Sequence, residues 1–189
     1  MSAHVIYGMQ VSLDGFVEAP GAAIDWTMPD AELHGFLNDQ SRSAAGELYG
    51  RRLWELMSGY WPTADEEPGA SPEVVDFARI WRATPKVVFS RTLERVEGNA
   101  RLVRGDAAEE VARLKRDGDG ELHTGGAALG GSLLRAGLVD ELRLYVYPIV
   151  LGAGTPFLPP LDRRLPLEPI ETRRFGMGVT YLSYRVANA

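Results

Sequence analysis

The residues of this sequence best suited to chemistry are glycines and arginines placed where short apolar runs stop. The run Glu121-Leu122-His123-Thr124 ends in Gly125-Gly126, residues 45–50 (AGELYG) end in Gly50 followed by Arg51-Arg52, and residues 85–89 (PKVVF) lead into Ser90-Arg91-Thr92. A strand that turns straight into a helix leaves backbone N–H groups unpaired beyond the strand end, and the helix dipole adds positive potential there. Guanidinium and hydroxyl groups at the same level suit the oxygen face of a phosphate. The chemistry on offer is anion binding. Packing explains part of the pattern equally well. Gly130 and Gly131 fall inside the expected helix, where each costs about 1 kcal/mol against alanine, and close approach to a sheet or to a ligand would justify either. Taken singly, Arg51, Arg52 and Arg91 also read as ordinary surface arginines.

Two acids stand near these motifs. Asp14, in Ser12-Leu13-Asp14-Gly15, and Glu32, after Trp26-Thr27-Met28-Pro29-Asp30-Ala31, are candidate proton donors or substrate anchors. An ordered water serves the proton step as well. Asp14 equally suits a turn-capping role and Asp30 a helix N-terminal charge. Trp26, Phe36 and Trp54, with Tyr60 and Trp61, either wall a pocket for a flat ring or fill the core. His34 and His123 read as structural. The sequence has no cysteine and three histidines, so thiolate chemistry is excluded and no metal-binding constellation is visible.

The elements that must position these groups follow from periodicity. Residues 3–11 alternate as a first strand. A helix is expected from Trp26-Thr27-Met28-Pro29-Asp30 onward, with Thr27 and Asp30 at capping-box spacing and Pro29 in the first turn. Residues 45–50 form a strand and 51–57 a short helix; 61–70, rich in proline and acids, read as an exposed loop. Ser71-Pro72 opens a helix with Val74, Phe77 and Trp81 on one face. Strands at 85–89 and 100–103 precede a helix capped by Asp106 that stops at Asp117-Gly118. After Gly125-Gly126 comes a helix carrying Leu129, Leu133 and Leu134, closed by Gly137. Residues 141–150 then alternate as a strand, and 167–175 with 179–186 form a hairpin. Strands alternate with helices until that hairpin, which predicts an α/β domain spanning 1–189 with a mainly parallel sheet and an antiparallel edge. In such sheets ligands sit beyond the carboxyl ends of the strands, where all three glycine or arginine turns are expected to meet.

Composition sets the outer bounds. The 189 residues suffice for one substantial core, with 45% apolar and 24% charged residues. A net charge of −6 without a basic run disfavours nucleic-acid or anionic-membrane partners. No apolar run reaches membrane-spanning length and the first residues lack a signal-peptide pattern, so a cytoplasmic protein is expected.

In this order the features resemble the dihydrofolate reductase fold, a three-layer α/β/α architecture, and in particular the reductase domain of the bifunctional riboflavin-biosynthesis deaminase-reductase. The run from Gly125-Gly126 through Leu133-Leu134, Gly137-Leu138-Val139-Asp140-Glu141-Leu142, Pro148 and Leu151-Gly152 to Gly154 is similar to that domain over about forty residues. Ser12-Leu13-Asp14-Gly15 resembles its first-strand motif. Gly50-Arg51-Arg52-Leu53-Trp54 is similar to the Gly-Arg-x-Thr-Trp segment of dihydrofolate reductases, with Leu53 in place of threonine. The resemblance implies an NADPH site. In it Gly125, Gly126 and the helix start, with Ala127 and Leu129 nearby, hold the pyrophosphate; Gly50 and Arg51 sit opposite; Ser90, Arg91 and Thr92 take the 2′-phosphate. It implies hydride transfer to a small planar heterocycle or imine. The alternatives are a ribosylamino-pyrimidine, its phosphate met by Arg52 or Arg163-Arg164, and a non-catalytic dinucleotide-binding protein. Of the carboxylates implied near the ring, Ala31 falls at the matching position, with Asp30 and Glu32 on either side. Relatives of this fold pair through sheet edges or the connection after the Gly-Gly helix, and the apolar run 145–151 suggests a homodimer.

Overall fold

The computed structural model describes residues 2–187; Met1, Asn188 and Ala189, the ends of the expected 1–189 domain, lie outside the described residues. The chain runs β1 (His4–Ser12), β2 (Phe16–Glu18), α1 (Ala31–Arg42), β3 (Ala44–Gly50), α2 (Arg51–Ser58), α3 (Pro72–Ala83), β4 (Lys86–Phe89), β5 (Ala100–Val103), α4 (Ala107–Asp117), β6 (Glu121–Thr124), α5 (Ala127–Arg135), β7 (Glu141–Tyr147), β8 (Thr155–Pro156), β9 (Leu167–Arg174) and β10 (Thr180–Val186). Eight strands form one sheet in the order β5-β4-β3-β6-β1-β7-β10-β9, and β2 pairs with β8 separately. From β5 to β7 every pairing is parallel. The C-terminal hairpin adds the antiparallel edge.

Alternation along the central strands assigns the two faces. Val5, Tyr7 and Val11 of β1 and Leu142, Leu144 and Val146 of β7 pack with Val111 of α4 and Leu129, Leu133 and Leu134 of α5. The other face carries Tyr145, Tyr147 and Tyr181 under Leu33 and Phe36 of α1. Further along that face, Tyr49 and Val88 lie under Trp54 of α2 and Trp81 of α3. The expected mainly parallel, three-layer arrangement is therefore present.

Four local expectations are corrected. The helix α1 begins at Ala31, because the Asp30 carboxylate accepts from the Leu33 amide at 2.9 Å and caps it. Thr27 instead donates its hydroxyl to the Ile24 carbonyl at 2.7 Å, which leaves Pro29 outside the helix. Strand β7 stops at Tyr147, since Pro148 has no N–H to continue a ladder. The segment 61–70 is not wholly an exposed loop: Ala64–Glu66 form a 3₁₀ turn with Ala64 buried, tied to α3 by Arg82 and Asp65 at 2.6 Å. The run 145–151 offers less surface than expected, because Tyr145 and Tyr147 are buried and β7 is flanked by β1 and β10.

The glycines inside α5 are explained by packing. A Cβ at Gly130 would lie 2.3 Å from the Tyr7 ring, and one at Gly131 would lie 3.3 Å from Pro159. Tyr7 cannot retreat, since its ring stacks on Phe157 at 4.3 Å and its hydroxyl donates to the Phe157 carbonyl at 2.8 Å. The helix closes as expected at Gly137 (φ +69°), with the Leu138 amide donating to Leu133 and the Gly137 amide to Leu134.

On the α1/α3 face the strands carry a row of polar residues near their starts, interrupted by Ile6: Lys86, Glu47, His123, Ile6 and Glu141 lie abreast on β4, β3, β6, β1 and β7. Lys86 donates to the Trp81 carbonyl and to that of Thr84 at 2.7 Å, satisfying the end of α3. Burial pushes the Glu47 carboxyl up to about 8, opposed by the Lys86 charge.

Two predictions follow from this packing. Gly130→Ala gains helix propensity of about 1 kcal/mol, but the clash with Tyr7 outweighs it, giving a net loss of ~2 kcal/mol or more by chemical denaturation. For Glu47, a raised folded value means that between pH 4.5 and about 8 the folded chain keeps a proton the unfolded chain releases. Its contribution is therefore lost as pH rises through that window, and Glu47→Gln should stabilise the protein at pH 7.5 relative to pH 5 by on the order of 2 kcal/mol. Melting curves of both variants at the two pH values check this.

Candidate active site

Three strand ends meet at one edge of the sheet. Gly50 of β3 is in register with Phe89 of β4, and Leu48 with Thr124 of β6. Gly50-Arg51, Ser90-Arg91-Thr92 and Gly125-Gly126 therefore occupy neighbouring positions, as the sequence suggests. The side chains confirm the approach: a Cβ at Gly50 would lie 3.7 Å from the Leu129 Cβ.

The helices that start here differ from the others. α1, α3 and α4 are capped by Asp30, Ser71 and Asp106, and each has an acid in its first turn. α2 and α5 have glycine at the cap, no side-chain capping bond and no acid in the first turn. Their first amides and dipoles are left to whatever lies above β3 and β6. Gly126 has φ +85°, which a side chain would strain, and a Cβ at Gly125 would come within 3.0 Å of Leu53 and 3.3 Å of the Met9 sulfur. The cradle is thus lined by backbone. Ala127 and Leu129 lie in the first turn of α5, with Leu129 buried.

The basic groups are held differently. Arg51 pairs loosely with Glu55 at 3.7 Å along α2. Arg52 makes two bonds to Glu18, at 3.0 and 3.3 Å, and Thr155 also donates to Glu18 at 2.6 Å, so α2 is tied to the β2–β8 pair. Ser90 folds its own turn, its hydroxyl accepting from the amides of Thr92 at 3.2 Å and Leu93 at 3.0 Å; Arg91 and Thr92 are exposed beside it. Arg163 and Arg164 do not join them. They line a hollow with Gly137 at the other end of α5, about 13 Å away for a helix of this length.

The acids proposed for catalysis are engaged elsewhere. Asp14 accepts from the Ser12 hydroxyl at 2.7 Å and from the amides of Leu151 at 3.1 Å and Gly152 at 2.7 Å. These bonds, the Ser12 hydroxyl first, hold its carboxyl below the usual range, which suits an anchor rather than a proton donor. Glu32 is engaged by the β9–β10 hairpin, 3.6 Å from Arg173 and accepting from the Gly176 amide at 3.1 Å, at the turn that lies beside the carboxyl end of β7. Asp30 caps α1 near Tyr147, whose hydroxyl donates to the Thr27 carbonyl at 3.0 Å.

The aromatic candidates divide. Trp26 packs edge-on to Tyr147 at 5.6 Å near the start of α1. Trp54, stacked on Trp81 at 5.9 Å, is buried in the core, whereas Phe36, against Tyr181 at 5.0 Å, is partly buried over the cluster beneath α1. Two residues near the strand ends carry no obvious signal in the sequence. Met9 accepts from the Gly126 amide through its sulfur at 2.9 Å, a contact that depends on which strand neighbours β1. Gln10 is half-buried on β1 in register with Tyr145; as a polar residue in a central strand it was the more discoverable of the two.

Among the described residues no group of three or more His, Asp or Glu is placed to hold a metal ion, and no helix is long and apolar enough to cross a membrane.

Sheet order, layers and the two glycine-started helices define a dihydrofolate reductase-like α/β domain. Two solved structures share this fold. One is a putative riboflavin biosynthesis protein from Shewanella sp. PV-4, at TM-score 0.76 and 23% identity over 100% of both chains. The other is Enterococcus faecalis dihydrofolate reductase complexed with NADP(H) and RAB-propyl, at TM-score 0.65 and 14% identity over 100% of both chains. Residues 3–181 match the family model of the RibD C-terminal domain, and the chain belongs to that family. It is 33% identical over 183 residues to the uncharacterized protein YyaP of Bacillus subtilis (strain 168), covering 95% of this chain and 93% of that one.

If Asp14 is an anchor, Asp14→Asn replaces an acceptor of two amides with a group that can serve only one. We expect a lower melting temperature and faster proteolysis at the 150–154 loop. Loss of nucleotide binding with unchanged stability would instead assign Asp14 to the ligand.

Proposed function

We propose that this protein is an NADPH-dependent reductase that transfers a hydride to a small planar heterocycle or imine. The observation that carries this reading is the pair of uncapped, acid-free helix starts at adjacent strand ends, with Ser90-Arg91-Thr92 at the next strand end. A dinucleotide fits that geometry in stages. The first amides of α5 and α2 would hold its diphosphate across the Gly125-Gly126 turn, where backbone approach needs the absence of a side chain. Arg51 adds charge from α2. Arg91, with the hydroxyls of Ser90 and Thr92, meets a 2′-phosphate, which a fork of N–H donors recognises better than a ribose hydroxyl.

NADPH, when bound, supplies the hydride. The chain's own residues orient the acceptor: Trp26 offers flat surface near the start of α1, and the Gln10 amide offers one donor and one acceptor for a ring edge. With Asp14 saturated and Glu32 turned to the hairpin, an ordered water delivers the proton. Family membership favours a pyrimidine among the possible rings. Family membership also supports the ribosylamino-pyrimidine alternative; Arg163 and Arg164 line a hollow at the far end of α5 and Arg52 is paired with Glu18, so neither is placed at the strand ends to meet its phosphate.

The engagement of both acids also favours a second reading, a dinucleotide-binding protein without turnover. Titration with NADPH and NADH, followed by energy transfer from tryptophan to the reduced nicotinamide, tests the shared part. We expect NADPH to bind at least about tenfold more tightly than NADH, and Arg91→Ala to erase the difference. Absence of binding by either nucleotide would sink both readings. Oxidation of bound NADPH by a pterin or pyrimidine panel then separates them.

A further inference from the structure

We propose that Arg104 sets the preference for NADPH over NADH by pinning the turn that carries Arg91, a positioning role that rests on the cofactor reading above. Arg104 is the first residue after β5, a four-residue strand paired only with β4. The ladder between them runs one step further, with the Ser90 amide donating to the Val103 carbonyl at 3.1 Å. That step brings the Arg104 guanidinium beneath the turn. It donates to the Arg91 carbonyl at 3.3 Å and to the Glu94 carbonyl at 3.1 Å.

The turn is thereby fixed from two sides. From within, the Ser90 hydroxyl takes the amides of Thr92 and Leu93. From outside, Arg104 takes carbonyls at both ends, and Leu93 packs partly buried into the apolar cluster around Trp54. A planar fork can serve two carbonyls at once in fixed geometry, which a single ammonium does poorly. What remains to meet an anion is the side chain of Arg91 and the O–H donors of Ser90 and Thr92, whose oxygens lie 3.4 Å apart. A turn already ordered spares a phosphate the entropic cost of ordering it, and that saving applies only to the nucleotide that has the extra phosphate. Because its N–H groups are directed at carbonyls, Arg104 acts through Arg91.

The test is a double-mutant cycle on the full chain, with NADPH and NADH titrated into wild type, Arg91→Ala, Arg104→Ala and the double variant. Arg104→Ala should weaken NADPH about tenfold and leave NADH within about twofold, and the double variant should bind NADPH as Arg91→Ala does. Additive losses in the double variant would make Arg104 an independent ligand and overturn the proposal; so would an unchanged NADPH-to-NADH ratio. Should Arg104→Ala melt too low to titrate, Arg104→Gln, neutral and with a single amide donor, carries the same expectations. Failure of wild type to bind either nucleotide is a distinct result, which overturns the cofactor reading itself.

Discussion

Two helices of this fold begin without a cap, on adjacent strands, and the top of the sheet is arranged around that fact. A capping side chain is worth about 1 kcal/mol, and the chain uses one at α1, α3 and α4. At α2 and α5 it forgoes the gain, and it also keeps acids out of both first turns. Glycine at Gly50 and Gly126 allows backbone to approach backbone there, with a positive φ at Gly126. Leu53 and Met9 close in on the Gly125-Gly126 turn from either side. The result is a concentration of unpaired amides backed by apolar groups, in which an anion would be poorly screened and strongly held.

The β2–β8 pair depends on the same edge. It reaches α2 through Glu18 and Arg52, and the body of the domain through Phe157 on Tyr7. Asp14 joins its two entering loops by binding the Leu151 and Gly152 amides. Gly154, with φ +148°, allows the Glu18 carbonyl to approach where a Cβ would meet it at 2.0 Å. The motifs Ser12-Leu13-Asp14-Gly15 and Leu151-Gly152-Ala153-Gly154, far apart in sequence, are thus two halves of one joint. Their chemistry is structural first.

The periodicity of the chain was sufficient to read the fold because each central strand has one face against α5 and α4 and another against α1 and α3. Leu142, Leu144 and Val146 against Arg143, Tyr145 and Tyr147 is such a division. The glycine-ended strands were legible for a local reason, since an uncapped helix start is written in the residues themselves. What was not legible depended on partners supplied by other strands. Glycine at 130 records the position of Tyr7, a residue more than a hundred places earlier. Trp54 reads as a pocket wall in the sequence because a sequence shows that a residue is aromatic without showing which cluster receives it.

The acid near the start of α1 illustrates a harder limit. Consecutive helix residues point about 100° apart, so a shift of one position changes the element a side chain meets. Asp30, Ala31 and Glu32 sample that rotation. Asp30 is spent on the cap beside Tyr147; Ala31 is exposed; Glu32 reaches Arg173 and the Gly176 amide on the hairpin. The cap itself fixes this outcome, because a helix begun by Asp30 places the next two residues relative to its own axis before any substrate is considered. Redirecting the Glu32 carboxylate costs its bonds to the Gly176 amide and to Arg173, whereas the Asp30 carboxylate can leave the cap only by exposing the Leu33 amide.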